Sequence, residues 1–203
     1  MTRLTDDGEV AKAFLNYTFG VGKTGAPGHE RYLKTGNPID WSSPHFEKTP
    51  ERFMKMLREL TTPQDFEFTT FETEADEMIV IGPITFTSMC AHHIVPFMGT
   101  VHIGYVPAGQ IAGLSKFACT VKEMAKTLTV QEELTDNIAK YLIDKLDPKG
   151  LAVVMRAEHL CMTIRGVQSP GTMTTTSSMK GVFADHSRQA RAEFLRLIGN
   201  GHG

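Results

Sequence analysis

The sequence predicts an α+β fold built on an antiparallel sheet. Strand-like runs come as a block, with period-two alternation in Phe66-Glu67-Phe68 and Ile84-Thr85-Phe86-Thr87. Two long helical patterns then follow one another. The strict strand–helix alternation of a parallel sheet is absent. With 203 residues, 41% hydrophobic and 22% charged, the composition is that of an ordinary globular chain with room for one substantial core.

Taken in order, residues 8–19 carry Val10, Phe14 and Leu15 at helical spacing and predict a short helix. The stretch GVGKTGAPGHERYLKTGNP is rich in Gly and Pro and predicts irregular chain. Its GVGKTG lacks the G-x-x-x-x-G-K-[ST] spacing of a phosphate loop. Residues 47–60 predict a helix with Thr49 as N-cap and Pro50 at the first position. Phe53, Met56, Leu57 and Leu60 form its apolar face. Strands are expected over 66–73, 76–89 and 98–107. Helices are expected over 115–128, with Phe117, Val121, Met124 and Leu128 on one face, and over 130–146, with Val130, Leu134, Ile138, Leu142 and Leu146. Asp147-Pro148-Lys149-Gly150 predicts a turn. A long strand over 151–165, a Thr-rich strand over 172–179 and a helix over 187–198 capped by Ser187 complete the chain. No internal repeat is visible.

A formal net charge of -2 argues against a dedicated nucleic-acid binder, which would be basic. The longest apolar stretch, 78–84, is far too short to span a bilayer, and the opening MTRLTDDGEV has no apolar core of a leader. Three cysteines, an odd and sparse count, suit a reducing compartment. The expectation is a cytoplasmic protein with no membrane and no nucleic-acid partner.

Cys90 and His93 have C-x-x-H spacing at a predicted strand end, and Cys161 lies on another predicted strand. Thiolates favour zinc over magnesium or calcium, and three protein ligands leave an open position for water. The same residues also fit a plainer description, with the two cysteines as buried small hydrophobes and His92 as a satisfied core histidine. Cys119, the third cysteine, sits on a predicted helix without a partner ligand, which weighs against a four-ligand structural site. His159 stands two residues before Cys161, so on a strand the two would share a face.

Gly113-Leu114-Ser115-Lys116 opens a helix, where free N–H groups and the dipole attract an anion. A plain Ser115 N-cap with a solvated Lys116 accounts for the pattern equally. Thr129-Val130-Gln131-Glu132 matches a capping box with Thr129 as N-cap. Alternatively, Glu132 accepts two N–H bonds from a guanine-like edge.

Assembled, these pieces resemble the GTP cyclohydrolase I family over residues 47–198. The resemblance rests on Thr49-Pro50-Glu51-Arg52, Ser88-Met89-Cys90-Ala91-His92-His93, VHIGYVP, Gly113-Leu114-Ser115-Lys116, Val130-Gln131-Glu132-Glu133-Leu134-Thr135, Ala157-Glu158-His159-Leu160-Cys161-Met162, Arg165-Gly166-Val167 and the Thr-rich tail before Gly181-Val182-Phe183. It implies a tunnelling fold, with helices packed on one face of an antiparallel sheet and sheets from several subunits closing into a barrel. It implies a homodecamer with active sites between subunits. Residues 47–203 would form the catalytic domain and 1–46 an N-terminal arm with a short helix and the Gly/Pro-rich loop.

By the same resemblance, Cys90, His93 and Cys161 are zinc ligands, and His92 and His159 are catalytic histidines. Gln131 and Glu132 grip the guanine edge. Arg52, Ser115, Lys116 and Arg165 contact the triphosphate. The implied reaction converts GTP and water to 7,8-dihydroneopterin triphosphate and formate, the first step towards pterin and folate or deazaguanine compounds. Two positions depart from the family pattern: Cys119 stands where an arginine is usual, and Ala91 where glutamate is usual. A non-catalytic module stabilised by a Cys/His site is the alternative from another class. A zinc nucleobase deaminase would need H-x-E with P-C-x-x-C, and no P-C-x-x-C occurs. A nitrile reductase of the deazaguanine pathway fits the ligand pattern less well.

Overall fold

The computed structural model describes residues 7–19, 43–184 and 189–199. The chain divides into two compact units, Met1–Glu59 and Leu60–Gly203. The Gly/Pro-rich loop and the Ser187 cap lie outside the described residues.

The first unit contains α1 (Asp7–Phe19) and most of α2 (Thr49–Thr61). Of the expected apolar face of α1, Val10 and Phe14 are exposed, and Phe14 stacks on Phe53 at 6.1 Å. Thr49 does not cap α2. A hydrogen-bonded turn over 43–49 already leads into the helix, the Arg52 N–H reaches the Lys48 carbonyl, and Thr49 Oγ1 turns back to the His45 carbonyl.

In the second unit a five-stranded sheet runs in the order β5-β2-β3-β6-β7. Its strands are β2 (Ile79–Cys90), β3 (Pro96–Val106), β5 (Leu128–Thr129), β6 (Gly150–His159) and β7 (Met173–Gly181). All neighbours are antiparallel except the two-residue β5, which runs parallel to the end of β2. A separate pair joins β1 (Thr70–Glu72) to β4 (Gln110–Ala112), so the strand expected over 66–73 is paired only where β4 reaches it.

Period-two alternation sorts the strand residues between two cores. On one face Val101, Ile103 and Tyr105 of β3 and Leu151, Val153 and Met155 of β6 pack under α3 (Leu114–Met124) and α4 (Gln131–Leu146). Leu134, Ile138, Leu142 and Leu146 line the buried face of α4, the spacing a helix requires. On the other face Ala152 and Val154 meet α6 (Gln189–Gly199) through Phe194. The expectation of helices on one face therefore holds for α3 and α4 but not for α6. Phe194 packs against Gly104 of β3, where an added Cβ would come within 2.6 Å of the ring. Only glycine leaves room for that aromatic on the second face.

Two expected elements end early. The helix over 115–128 stops at Met124, because Leu128 and Thr129 are drawn into pairing with Met89 and Cys90. The strand over 151–165 stops at His159, and Leu160–Thr163 form a single helical turn, α5. At the other end of α4, Asp147 takes the left-handed conformation that closes the helix into the predicted turn.

Candidate active site

Cys90 is the last residue of β2 and is buried. The chain then turns tightly: the His93 and Ile94 N–H groups both return to the Cys90 carbonyl, and Ile94 has a φ of 53°. This turn folds His93 back beside the Cys90 thiol. Cys161 arrives from β6 through α5 rather than from a continuous strand, so the same-face argument for His159 and Cys161 does not apply. The helical turn nonetheless brings both to one pocket. One ligand atom each of Cys90, His93 and Cys161 lie within 4.8 Å of one another.

Burial pushes the Cys161 thiol up, and the adjacent Cys90 sulfur pushes it further, while the Arg165 charge opposes both. Two thiols this close to each other and to an imidazole are a donor set that suits a soft divalent cation. Among the described residues no fourth Cys, His, Asp or Glu completes the group. The buried-hydrophobe description therefore fits Cys90 only in part, since its sulfur also faces two potential ligands.

A pocket of about 180 Å³ opens over this corner, lined also by His92, Glu132, His159 and Thr174. His92 is exposed, with Nδ1 4.0 Å from the Cys90 sulfur. His159 is held on two sides. Its ring stacks on Phe97, with centroids 4.8 Å apart and planes 2° from parallel. Its Nε2 lies 2.8 Å from Gln131 Oε1. Burial lowers its pKa, and the Glu132 charge partly offsets this.

Gln131 settles which nitrogen of His159 carries the proton. Gln131 is 1% exposed, and its Nε2 donates towards the Met155 and Thr174 carbonyls and Thr176 Oγ1 at 3.0–3.2 Å. The carbonyls can only accept, so the amide nitrogen must face them and the amide oxygen must face His159. His159 then donates from Nε2, which leaves Nδ1 as its open position. Thr135, bonded to Thr176 Oγ1 at 2.6 Å, completes the buried network.

The capping-box alternative for Glu132 fails. Thr129 belongs to β5, Val130 is the N-cap of α4, and no side chain caps that end. The extended backbone that pairs Thr129 with Cys90 takes it out of capping position. Glu132 is thus an exposed carboxylate on the first turn of α4, facing the pocket.

The residues expected to meet an anion are more dispersed. Ser115 and Lys116 occupy the first turn of α3, where Gly113 is the N-cap without a side-chain bond, so Ser115 is not the cap. Neither lines the pocket. Arg165 is exposed just beyond α5, and Arg52 is exposed on α2 of the first unit. Cys119 is a half-buried free thiol on α3. A hollow of about 250 Å³ beside Glu123, Lys126 and Tyr141 carries neither thiol nor imidazole. Sequence reasoning missed Phe97, Thr135 and Thr176, whose roles follow from strand register and from packing against α4.

Residues 35–199 match the family model described as GTP cyclohydrolase I. The GTP cyclohydrolase 1 of Aquifex aeolicus (strain VF5) is 46% identical over 154 residues, covering 75% of this chain and 83% of that protein. That of Hydrogenobaculum sp. (strain Y04AAS1) is 47% identical over 154 residues, with 75% and 84% covered. That of Bacillus subtilis (strain 168) is 44% identical over 156 residues, with 74% and 82% covered. Matches of this length, which include every element around the Cys-His-Cys corner, leave one conclusion: the chain belongs to the GTP cyclohydrolase I family of enzymes.

Proposed function

We propose that this enzyme converts GTP and water to 7,8-dihydroneopterin triphosphate and formate, by opening the guanine imidazole ring at C8 and then rearranging and closing the ribose into the pterin. The observation that carries this reading is the Cys90-His93-Cys161 group sharing one pocket with two non-ligand histidines and a carboxylate.

Two thiols and an imidazole suit zinc, and Cys90, His93 and Cys161 would hold it with a fourth position open. When bound, zinc supplies a Lewis acid that activates water for attack. His159 exchanges protons through Nδ1, because Gln131 occupies Nε2. His92, exposed at the mouth, is the second proton carrier. Glu132 accepts from the guanine N–H edge and fixes which ring carbon faces the metal corner. Gln131 acts in base recognition chiefly through His159, since its own amide is engaged inside the protein.

Arg165, Lys116 and Arg52 neutralise the triphosphate, and the Ser115 hydroxyl donates to it. Ser115 and Lys116 lie away from the pocket of their own chain, which supports sites completed between subunits. The outer edge of β7, unpaired among the described residues, supports joining of sheets in a homodecameric barrel. In this reading 47–203 is the catalytic domain and 1–46 an arm. The three free thiols support a cytoplasmic location. No helix among the described residues is long and apolar enough to cross a membrane.

The test is incubation with GTP, following pterin absorbance and fluorescence and released formate, with and without a chelator. Pterin that forms and is abolished by the chelator supports the reading. GTP left intact by zinc-loaded protein refutes it.

A further inference from the structure

Glu158 precedes His159 at the end of β6 and does not line the pocket. A single oxygen of its carboxylate, Oε1, accepts from the Gly171 N–H at 2.8 Å and from Thr163 Oγ1 at 3.1 Å, the hydroxyl proton being shared with the His159 carbonyl at 3.2 Å. The two donors stand at opposite ends of one excursion of the chain. Thr163 closes α5, and Gly171 lies just before β7 begins at Met173.

Between them runs the segment that carries Arg165. Residues 164–168 are all exposed, and Gly166, Gln168 and Gly171 have φ values of 64°, 49° and 77°. Its internal bonds are few: Gln168 N–H to the Arg165 carbonyl, Ser169 N–H to the Met162 carbonyl, and Ser169 to Thr172 through their hydroxyls. A tightly turned segment with little apolar burial opens easily unless its ends are tied. Arg165 is carried by this segment just beyond α5, so where the segment sits decides where its charge sits.

We propose that Glu158 is a positioning residue: its carboxylate clasps both ends of the 164–172 segment and holds Arg165 in place for the anionic end of the substrate. The carboxylate suits the task because one ionised oxygen accepts from two donors with the strength of charge-assisted bonds. This inference rests on Arg165 being a triphosphate contact, as proposed above.

The experiment uses the full-length, zinc-loaded enzyme. Glu158→Ala raises the KM for GTP about tenfold, the worth of one such bond at 1.4 kcal/mol per decade, with kcat little changed. Glu158→Gln, which keeps an acceptor oxygen, restores the KM. In an Arg165→Ala background Glu158→Ala adds nothing further. Amide exchange at Gly171 without GTP quickens in Glu158→Ala, a readout independent of substrate. GTP left intact by the wild-type enzyme would sink the proposed function while exchange at Gly171 still judged the clasp. An unchanged KM, an equal KM rise in the Arg165→Ala background, or unchanged exchange at Gly171 overturns the inference. A fall in kcat alone would assign Glu158 to His159 instead and overturn it as well. If Glu158→Ala does not fold, Thr163→Val removes one donor alone, and a KM that stays at the wild-type value in that variant counts equally against the clasp.

Discussion

The corner that holds Cys90, Cys161 and His159 and the surface that carries Ser115, Lys116 and Arg165 are built by opposite means. In the corner, Cys90 is buried, Cys161 and His159 are half-buried and only His93 of the ligand group is exposed, and neighbours fix the orientations: Phe97 stacks on His159, Gln131 meets its Nε2, and the turn after Cys90 places His93. On the surface, Ser115 and Arg165 are exposed and sit on separate elements. Bond-making chemistry needs reacting groups placed to within a fraction of an ångström, and a packed interior supplies that. Binding a flexible polyanion needs charge within reach, and surface side chains supply that at lower precision.

The largest expected effect breaks the corner itself. Cys161→Ser loses most of its zinc and its turnover while the fold stays intact by circular dichroism, since half-buried Cys161 stands at the margin of the main core. Full zinc occupancy in that variant would remove Cys161 from the ligand set. His92→Ala and His159→Ala come next. Both keep zinc and lose about 100- to 10,000-fold in turnover, as general acid–base groups do. Near-normal rates in both would end their assignment as proton carriers.

A smaller effect tests how much the corner depends on its supports. Gln131→Ala leaves zinc bound but frees the His159 ring, and kcat falls about 10- to 100-fold, as for other groups that orient active-site residues. Nitrogen NMR of the ring should show the proton no longer confined to Nε2. A kcat that holds while KM rises would instead make Gln131 a direct substrate contact. The smallest effect is expected on the surface side. Cys119→Arg adds a cation on α3 and lowers the KM for GTP about tenfold, with little change in kcat. A KM that stays or rises would mean that this position meets no phosphate.

How legible each region was in the sequence follows the same division. The apolar faces of α3 and α4 are local patterns, and Phe117, Val121, Ile138 and Leu142 are buried where spacing put them. The C-x-x-H spacing of Cys90 and His93 is local too, and the turn between them realises it. What could not be read depends on pairing between distant segments. The two-residue strand at Leu128–Thr129 exists only because the end of β2 is there to receive it, and it removes the expected cap at Thr129. The stacking of Phe97 on His159 follows from the β3–β6 register, in which the two residues are direct partners. The burial of Gln131 follows from β7 passing alongside α4, and no period in the sequence announces it.

The short parallel contact between Cys90 and Thr129 also acts as a ruler. Positional error along a chain accumulates with each soft dihedral, two per residue. Here the Ala91 N–H binds the Thr129 carbonyl at 3.0 Å, directly after Cys90 of the Cys-His-Cys group. From Thr129 the backbone runs only through Val130 and Gln131 to Glu132, and α4 makes the last steps rigid. The spacing between the Cys-His-Cys corner and the Glu132 carboxylate is therefore measured across one hydrogen bond and a single helical turn. Insertions elsewhere in the chain can lengthen loops without touching that gauge, whereas one residue added between Thr129 and Glu132 would turn the carboxylate about 100° around the helix and out of the pocket.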